Sequence, residues 1–381
     1  MSITDNCAFV VLGFEHYNPL GIVRSLGENG IHPDAIVVKD FRKITSKSKY
    51  INKLYYVDSI DEGYNLLIEK YGDYTGKVFV YASDDQVTNY MDARYEDIKD
   101  KFIFYNAGAN GRIAEFQNKN NILMLAAKHG LQYLKTYVVK KGEIPEGLEY
   151  PVITKAITST FDNWKGDMII CNNEEDLKAA YKVIRSEDLL IQKYIKKKNE
   201  LCLEGFSVDK GNKMVITIAS SYNYLLDDSY SPYMTCRSLN NPELEKKLAA
   251  MIADVGFEGI FEIEFLVDQD DELYFLEINF RNSTWSYAST VAGMPMPVLW
   301  AKGMLDANSI SNSFVEIKEP FTAMVEFDDH RCRVKTGMIT NKEWFDDFKN
   351  SKCKYYCASK DYKPVISVIL SKIKRVINRS N

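Results

Sequence analysis

The chain has 381 residues, more than one hydrophobic core usually organises, so two or three domains are expected. Hydrophobic residues make up 46% and charged residues 27%, the composition of a globular protein. A formal net charge of -5 and a pI near 5.6 argue against a chain-wide nucleic-acid surface. Seven cysteines contain no CxxC pair, Cys353 and Cys357 standing nearest, and there are only four histidines. That pattern argues against zinc and fits free thiols in a reducing compartment. The opening MSITDNCAFVVLGF lacks the basic segment and long apolar run of a signal peptide. No run of about 18 apolar residues offers a membrane span, so the expected address is the cytoplasm.

In chain order, CAFVVLGF reads as an apolar strand ending at Gly13, and NPLGIVRSLGENG as a helix stopped by Gly30. DAIVVKD and KVFVYASDD are further strands of the same kind. Strands alternating with helices predict a doubly wound parallel sheet, an α/β domain over 1–112. NKNNILMLAAKHG is a helix ending at Gly130, PVITKAI a strand, NNEEDLKAAYKVI a helix capped by Asn172 or Asn173, and LLIQKYI a strand. NELCLEGFSVD and MVITIASSY predict antiparallel strands, and NPELEKKLAAMIADVG a helix ending at Gly256. Mixed sheet and helices predict an α+β nucleotide domain over 113–310. Residues 311–381, with TAMVEFDD, EWFDDFKN and a basic tail, are expected to form a C-terminal extension.

The chemistry concentrates in GIFEIEFLVDQDDELYFLEINFR, which reads as a hairpin turning at Gln269–Asp270. That register predicts Glu277 opposite Glu262 and diagonal to Glu264. Side chains alternate across a strand, so Glu262, Glu264, Glu277, Asn279 and Arg281 share one face. Phe261, Ile263, Phe265, Tyr274, Leu276, Ile278 and Phe280 are then expected on the core face. Several acids on a half-buried face repel and are costly to desolvate, a cost that a bound cation removes. Oxygen ligands without His or Cys select Mg²⁺, and either Glu262 or Glu264 can face it. Arg281 is suited to a bidentate grip on phosphate or carboxylate. The plainer reading is an exposed hairpin with Arg281 paired to a glutamate.

FLEINFR after FEIEF resembles the metal-binding end of the ATP-grasp superfamily, and three other stretches fall in that family's order. NKNNILMLAAKHGLQYLKTYVV resembles the helix of the first ATP lysine, here Lys119. YPVITKAI resembles the strand of the second, here Lys155. LLIQKYIKKKNELCLEGF resembles the adenine hinge and ribose-binding acid. The resemblance implies a two-lobed ATP-grasp fold behind a pre-ATP-grasp domain, with a lid lobe over about 118–195. It implies adenine at Lys193, Tyr194 and Ile195 with Gln192 nearby, ribose at Glu200, and Mg²⁺ on Glu264, Glu277 and Asn279. Lys119 and Lys155 would meet the phosphates, and Arg281 with Lys155 would serve catalysis. Taken alone, Glu200 equally suits pairing with the preceding lysines.

Within that superfamily the chain resembles carboxylate–amine ligases of the D-aspartate-ligase kind. GIVRSLGENGI, SKSKYI, ASDDQVTNYM, NFRNSTWSYASTVAGMPMPVLWAKGML and SKDYKPVI carry that likeness. It implies transfer of the ATP γ-phosphoryl group to a carboxylate, attack by an amine, and release of ADP and phosphate. The implied partners are a small-molecule carboxylate and amine, and possible assembly is a homodimer. Two alternatives stand beside it: a carboxylase-like enzyme working through carboxyphosphate, and a nucleotide-binding regulatory module without turnover. The lid loop from Thr158 to Gly166 holds one glycine, so Ser159, Thr160 or Lys165 would have to help cradle phosphate. NFRNSTWS lacks the glycines common after the arginine. His16 and Asn18, beyond the first strand, are candidates for substrate contact, and Arg237 for an anion. The tail has apolar residues at 366, 369, 370, 373 and 377 among basic ones. Docking on the protein's own body is expected, with contact to an anionic membrane surface as the alternative.

Overall fold

Four strands, β1 (Cys7–Phe14), β2 (Asp34–Val38), β3 (Leu54–Val57) and β4 (Lys77–Tyr81), form a parallel sheet in the order β3-β2-β1-β4. Their continuous apolar runs suit burial on both faces. This computed structural model describes residues 5–157, 164–226, 230–358 and 360–377. The chain adds β2 and β3 on one side of β1 and β4 on the other. The carboxyl ends of β1 and β4 therefore flank the crevice where the order reverses. The helix Tyr17–Gly27 follows β1 and ends before Gly30, which occupies the left-handed turn at φ +80°. Strand β3 is not among the sequence expectations, since its Tyr56 faces solvent at the sheet edge.

A second four-stranded sheet holds β5 (Thr136–Lys140), β6 (Val152–Ala156), β7 (Ile170–Cys171) and β8 (Asp188–Lys193), in the order β5-β8-β6-β7. All its pairings are antiparallel. The helix Glu174–Ala180 covers it, capped by Asn173.

The largest sheet has seven strands: β9 (Asn199–Val208), β10 (Lys213–Tyr222), β11 (Tyr233–Arg237), β12 (Gly259–Val267), β13 (Leu273–Asn279), β14 (Phe321–Met324) and β15 (Cys353–Lys354). Their order is β13-β12-β9-β10-β11-β14-β15. Residues 311–381 are thus no separate extension. β14 pairs antiparallel with β11 and β15 parallel with β14, covering an edge that would otherwise expose unpaired backbone.

Three of the loosest sequence resemblances meet at one buried ion pair. Arg24 of GIVRSL, fully buried, donates from Nε to Asp361 Oδ2 at 3.0 Å. Its Nη2 donates to the carbonyls of Tyr356 (3.2 Å) and Asp361 (2.9 Å). Ser48 Oγ and the Lys49 N–H, from SKSKYI, donate to the same carboxylate at 2.8 and 2.9 Å. Asp361 is therefore a structural anchor between the C-terminal segment and the first domain. The helix beyond it, Lys363–Ile377, departs from expectation. Pro364 is buried and Val365 and Val368 pack on the body, whereas Ile366, Ile369, Leu370 and Ile373 face solvent. VISVIL carries apolar residues on two faces, and the valine face is the one that docks.

Candidate active site

The β12–β13 hairpin forms, in a register different from the one expected. Glu264 lies opposite Glu277 and Glu262 opposite Asn279, so Glu277 does not face Glu262. Phe265 pairs with Phe275, which leaves Leu276 as the extra residue of a bulge. One extra residue reverses which face the following side chains meet. Phe275 therefore joins Phe261, Ile263 and Phe265 in the core, while Tyr274 and Leu276, expected there, are only half-buried. The bulge allows Phe275 and Glu277, two residues apart, to point opposite ways.

The acid face continues onto β9. Glu204 lies opposite Glu262, and Cys202 opposite Glu264. Glu204 was not singled out from the sequence, although ELCLE repeats its acids with the strand's even spacing. Ser283 and Ser286 donate their hydroxyls to Glu204, at 2.5 and 2.6 Å. The serines of NFRNSTWS, standing where glycines are common, thus hold this buried carboxyl. Burial, and then Glu204, pushes the Glu262 carboxyl well above the usual range. Burial, then Glu262 and Glu277, does the same to Glu264. Asn279 Nδ2 donates to both, 3.0 Å to Glu262 Oε2 and 2.8 Å to Glu264 Oε1.

This donor set fits a hard divalent cation: it is all oxygen, and its acids face each other across strands, where burial and mutual repulsion push the Glu262 and Glu264 carboxyls up. Among the described residues no three His, Cys, Asp or Glu side chains close a metal cage. Glu264, Glu277 and the amide oxygen of Asn279 would be the ligands, with Glu262 deeper, orienting Asn279. Few protein ligands suit Mg²⁺, which keeps water and phosphate in its shell.

Both predicted lysines converge here. Lys119 starts the helix Lys119–Lys128, capped by Asn118, and its Nζ lies 3.7 Å from Glu277 Oε2. Lys155, on β6, donates to Gln192 Oε1 at 2.8 Å, and Gln192 Nε2 donates to Thr136 Oγ1 at 2.9 Å. Burial and the charge of Lys119 lower the Lys155 ammonium to about 8, against the opposing pull of Glu277 and Glu200. Glu200 pairs with Lys197 at 2.6 Å, the plainer role its sequence context suggested, yet it also lines the cleft. In the hinge, the N–H groups of Lys193 and Tyr194 donate to the carbonyls of Lys135 and Pro151, both at 2.9 Å. A base at this hinge would have to be read by carbonyl oxygens and by Ile195.

Arg281 is held by a residue the sequence reading passed over. Its Nε and Nη2 donate to the two oxygens of Asp85, at 2.8 and 2.9 Å, and Nη2 also donates to Asn279 Oδ1 at 3.1 Å. Burial alone would lower the guanidinium, but Asp85 holds it raised. The plainer expectation of a glutamate partner for Arg281 is replaced by this aspartate at the start of the helix Asp85–Asp92. The adjacent acids of ASDD, ending β4, were the available signal.

A cleft of about 950 Å³ joins the acid face and Arg281 to the first sheet, while Lys119, Lys155 and the hinge residues Gln192, Lys193, Tyr194 and Ile195 are not among its lining. One end is lined by Glu200, Glu262, Glu264, Glu277, Asn279 and Arg281, the other by residues 14–19, Asp40, Arg42, Ser83 and Asp84. That second end is the switch-point crevice of the first sheet. His16 caps the following helix, accepting the Asn18 N–H, and burial together with Arg42 and Arg281 lowers its imidazole to about 4. Asn18 Oδ1, buried, has no hydrogen-bond partner among the described residues. Arg237 lies elsewhere, on a smaller cleft with Lys198 and Asn241, and donates to Ser221 Oγ at 3.0 Å. Of the proposed lid, Thr158 to Asn163, including Ser159 and Thr160, fall outside the described residues. Trp164–Asp167 form a single 3-10 turn, with nothing described of the Lys165 side chain. Met168 and Ile170, just beyond, line the cleft.

Comparison with known proteins agrees with this architecture. Residues 125–285 match the ATP-grasp domain model. The N5-carboxyaminoimidazole ribonucleotide synthase of Staphylococcus aureus (strain COL) is 31% identical over 138 residues, 35% of each chain. The chain thus aligns with about a third of the length of the curated relatives it matches. The ADP complex of the S. aureus N5-carboxyaminoimidazole synthetase superposes with a TM-score of 0.64 at 16% identity, covering 87% of this chain and 85% of the other. An L-amino acid ligase from Bacillus licheniformis gives 0.63 at 11% identity, over 84% and 79%. The biotin carboxylase domain of Hydrogenobacter thermophilus 2-oxoglutarate carboxylase, with MgADP and bicarbonate, gives 0.64 at 17%, over 83% and 74%. Residues 125–285 thus match an ATP-grasp domain, and the chain shares its fold with these ATP-grasp ligases and carboxylases. More narrowly, a stretch of 138 residues is similar in sequence to carboxyaminoimidazole ribonucleotide synthases of two staphylococci.

Proposed function

We propose that the protein is an ATP-dependent, ADP-forming carboxylate–amine ligase. One observation carries this reading: Glu264, Glu277, Asn279 and Arg281 line one end of a cleft, with Lys119 3.7 Å from Glu277 and Lys155 buried close enough to feel both charges. The other end of that cleft is a substrate-sized crevice. A Mg²⁺ ion at the acid face would neutralise phosphate charge. Lys119 and Lys155 bind the triphosphate as compact cations. Arg281, aimed by Asp85 and Asn279, stabilises charge on the phosphoryl group in transfer. The carboxylate oxygen attacks the γ-phosphorus and ADP leaves; the amine then attacks the acyl carbon and expels phosphate. His16, neutral above about pH 4 and with Nδ1 accepting the Asn18 N–H, can donate from Nε2 to a substrate without bringing charge, and Asn18 offers an acceptor oxygen without a partner among the described residues.

The partners of this reading are small molecules and not nucleic acid, and a homodimer is the proposed assembly. Among the described residues no helix is long and apolar enough to cross a membrane. Seven free cysteines, four of them buried, support a reducing, cytoplasmic setting. A second reading, carboxylation through carboxyphosphate, is favoured by the bicarbonate-bearing structural neighbour. An ADP-release screen over amino acids and other carboxylates, with and without bicarbonate and with mass spectrometry of products, separates the two. Glu277→Ala is the control and should abolish the signal while the fold persists. Undiminished ADP release in that variant would remove the proposed metal site.

A further inference from the structure

The helix Lys363–Ile377 has two apolar faces, and only one is used. Pro364, Val365 and Val368 lie against the body, where the Val365 and Val368 side chains join the cluster around Tyr17, Tyr355 and Tyr356. On the opposite side Ile366 is 46% exposed, Ile369 44%, Leu370 53% and Ile373 49%. At 3.6 residues per turn these four fall within about 100° of one another, a continuous ridge. Lys363 and Lys374, both exposed, flank one edge of it within about 40°. Lys372 turns the other way, its Nζ 3.7 Å from the centre of the Phe327 ring, where the charges of Lys335 and Arg331 also reach it. The acid nearest that group, Asp328, is already paired with Arg331 at 3.0 Å. Asp361, the acid at the start of this segment, is buried against Arg24. From 360 to 381 the sequence holds six Lys and Arg but one acid, in a chain whose formal charge is -5.

We infer that this helix docks the protein onto an anionic lipid surface, with the Ile366–Ile373 ridge entering the headgroup–acyl boundary and the flanking lysines meeting lipid phosphates. The charge pattern selects the occupant. A second copy of the chain would bring an identical basic ridge, and like charges would oppose the contact. A polyanion without apolar surface would leave the isoleucines in water. A convex single helix needs no complementary groove when its partner is a fluid interface. The helix is roughly 22 Å long, enough to lie in the interface plane and too short to cross it. The inference rests on this helix alone and stands whichever substrates the cleft takes.

Vesicle sedimentation with the full chain tests it. The chain should partition onto vesicles of equal phosphatidylglycerol and phosphatidylcholine, and at least about tenfold less onto phosphatidylcholine alone. Added salt should release it. The exposed double variants Ile369→Ser/Leu370→Ser and Lys363→Glu/Lys374→Glu should each lose at least about tenfold in partitioning, with thermal melting and ATP binding unchanged. Absence of binding to the anionic vesicles, or binding by either variant equal to that of the native chain, overturns the inference. So does a dimer in analytical ultracentrifugation that Ile369→Ser/Leu370→Ser dissolves without any vesicle binding, because the ridge would then join two copies.

Discussion

Lys155 offers the sharpest quantitative test of the phosphate site. Before nucleotide binds, burial and Lys119 hold its ammonium near 8 rather than the ordinary 10.5. A triphosphate beside it would restore the charged form and return it toward 10.5. Binding must then take up a proton whenever the pH lies between those two values. At pH 9 the free lysine is about one-tenth protonated and the bound one nearly fully, so uptake approaches about 0.9 proton per ATP; at pH 6.5 it is close to zero. The sign follows directly: affinity is greatest below pH 8 and weakens by up to tenfold per pH unit above it. The span from 8 to 10.5 corresponds to at most about 3 kcal/mol of affinity, less to the extent that cleft water already screens the group. Calorimetry of ATP binding at pH 9 in buffers of different ionisation enthalpy measures the uptake. Lys155→Met should abolish most of it and flatten the pH dependence. An ATP affinity in the native chain that is constant from pH 7 to 9.5, or an uptake that survives in Lys155→Met, would refute the reasoning.

Arg281→Lys keeps the charge but loses the fork that grips both oxygens of Asp85, so kcat should fall about ten- to hundredfold while the ATP dissociation constant changes little; steady-state kinetics beside equilibrium titration reads the split. Glu262→Gln replaces a carboxyl whose ionisation burial and Glu204 oppose, so stability at pH 7 should change by no more than about 1 kcal/mol. Because the folded-state value of Glu262 is raised above the ordinary 4.5, its ionisation costs stability as pH rises past that point, and the advantage of Glu262→Gln in denaturant unfolding should grow with pH. Asp361→Ala leaves Arg24 charged and buried without its partner, a loss of about 3–5 kcal/mol, visible as a lower denaturation midpoint.

Strands β1, β2 and β4 of the first sheet and the acid face were legible because period and composition alone specify them. FVVL and AIVV read as doubly buried strands, and FEIEF with FLEINF as acids alternating with apolar residues. What escaped depends on chain-distant partners. The bulge at Leu276 changes no residue type, only the pairing, so the core position of Phe275 was not visible in alternation. Asp85 became significant only once β4 was set beside the acid hairpin, nearly 200 residues away in sequence. Glu204 needed the β9–β12 pairing to bring it to Glu262. The valines of VISVIL outcompeted the isoleucines for the body because Arg24 and Asp361 fix how the helix enters, and no local pattern records that choice.

The central claim, phosphoryl transfer to a carboxylate before amide formation, is tested most directly by tracing oxygen. The carboxylate identified by the ADP-release screen is labelled with ¹⁸O in both oxygens, and the products of a single turnover are separated and analysed by mass spectrometry. The account predicts ADP without label, and one ¹⁸O in inorganic phosphate for each amide formed, because the attacking oxygen leaves with the γ-phosphorus. Label in AMP, with pyrophosphate as co-product, or phosphate free of label, would contradict it.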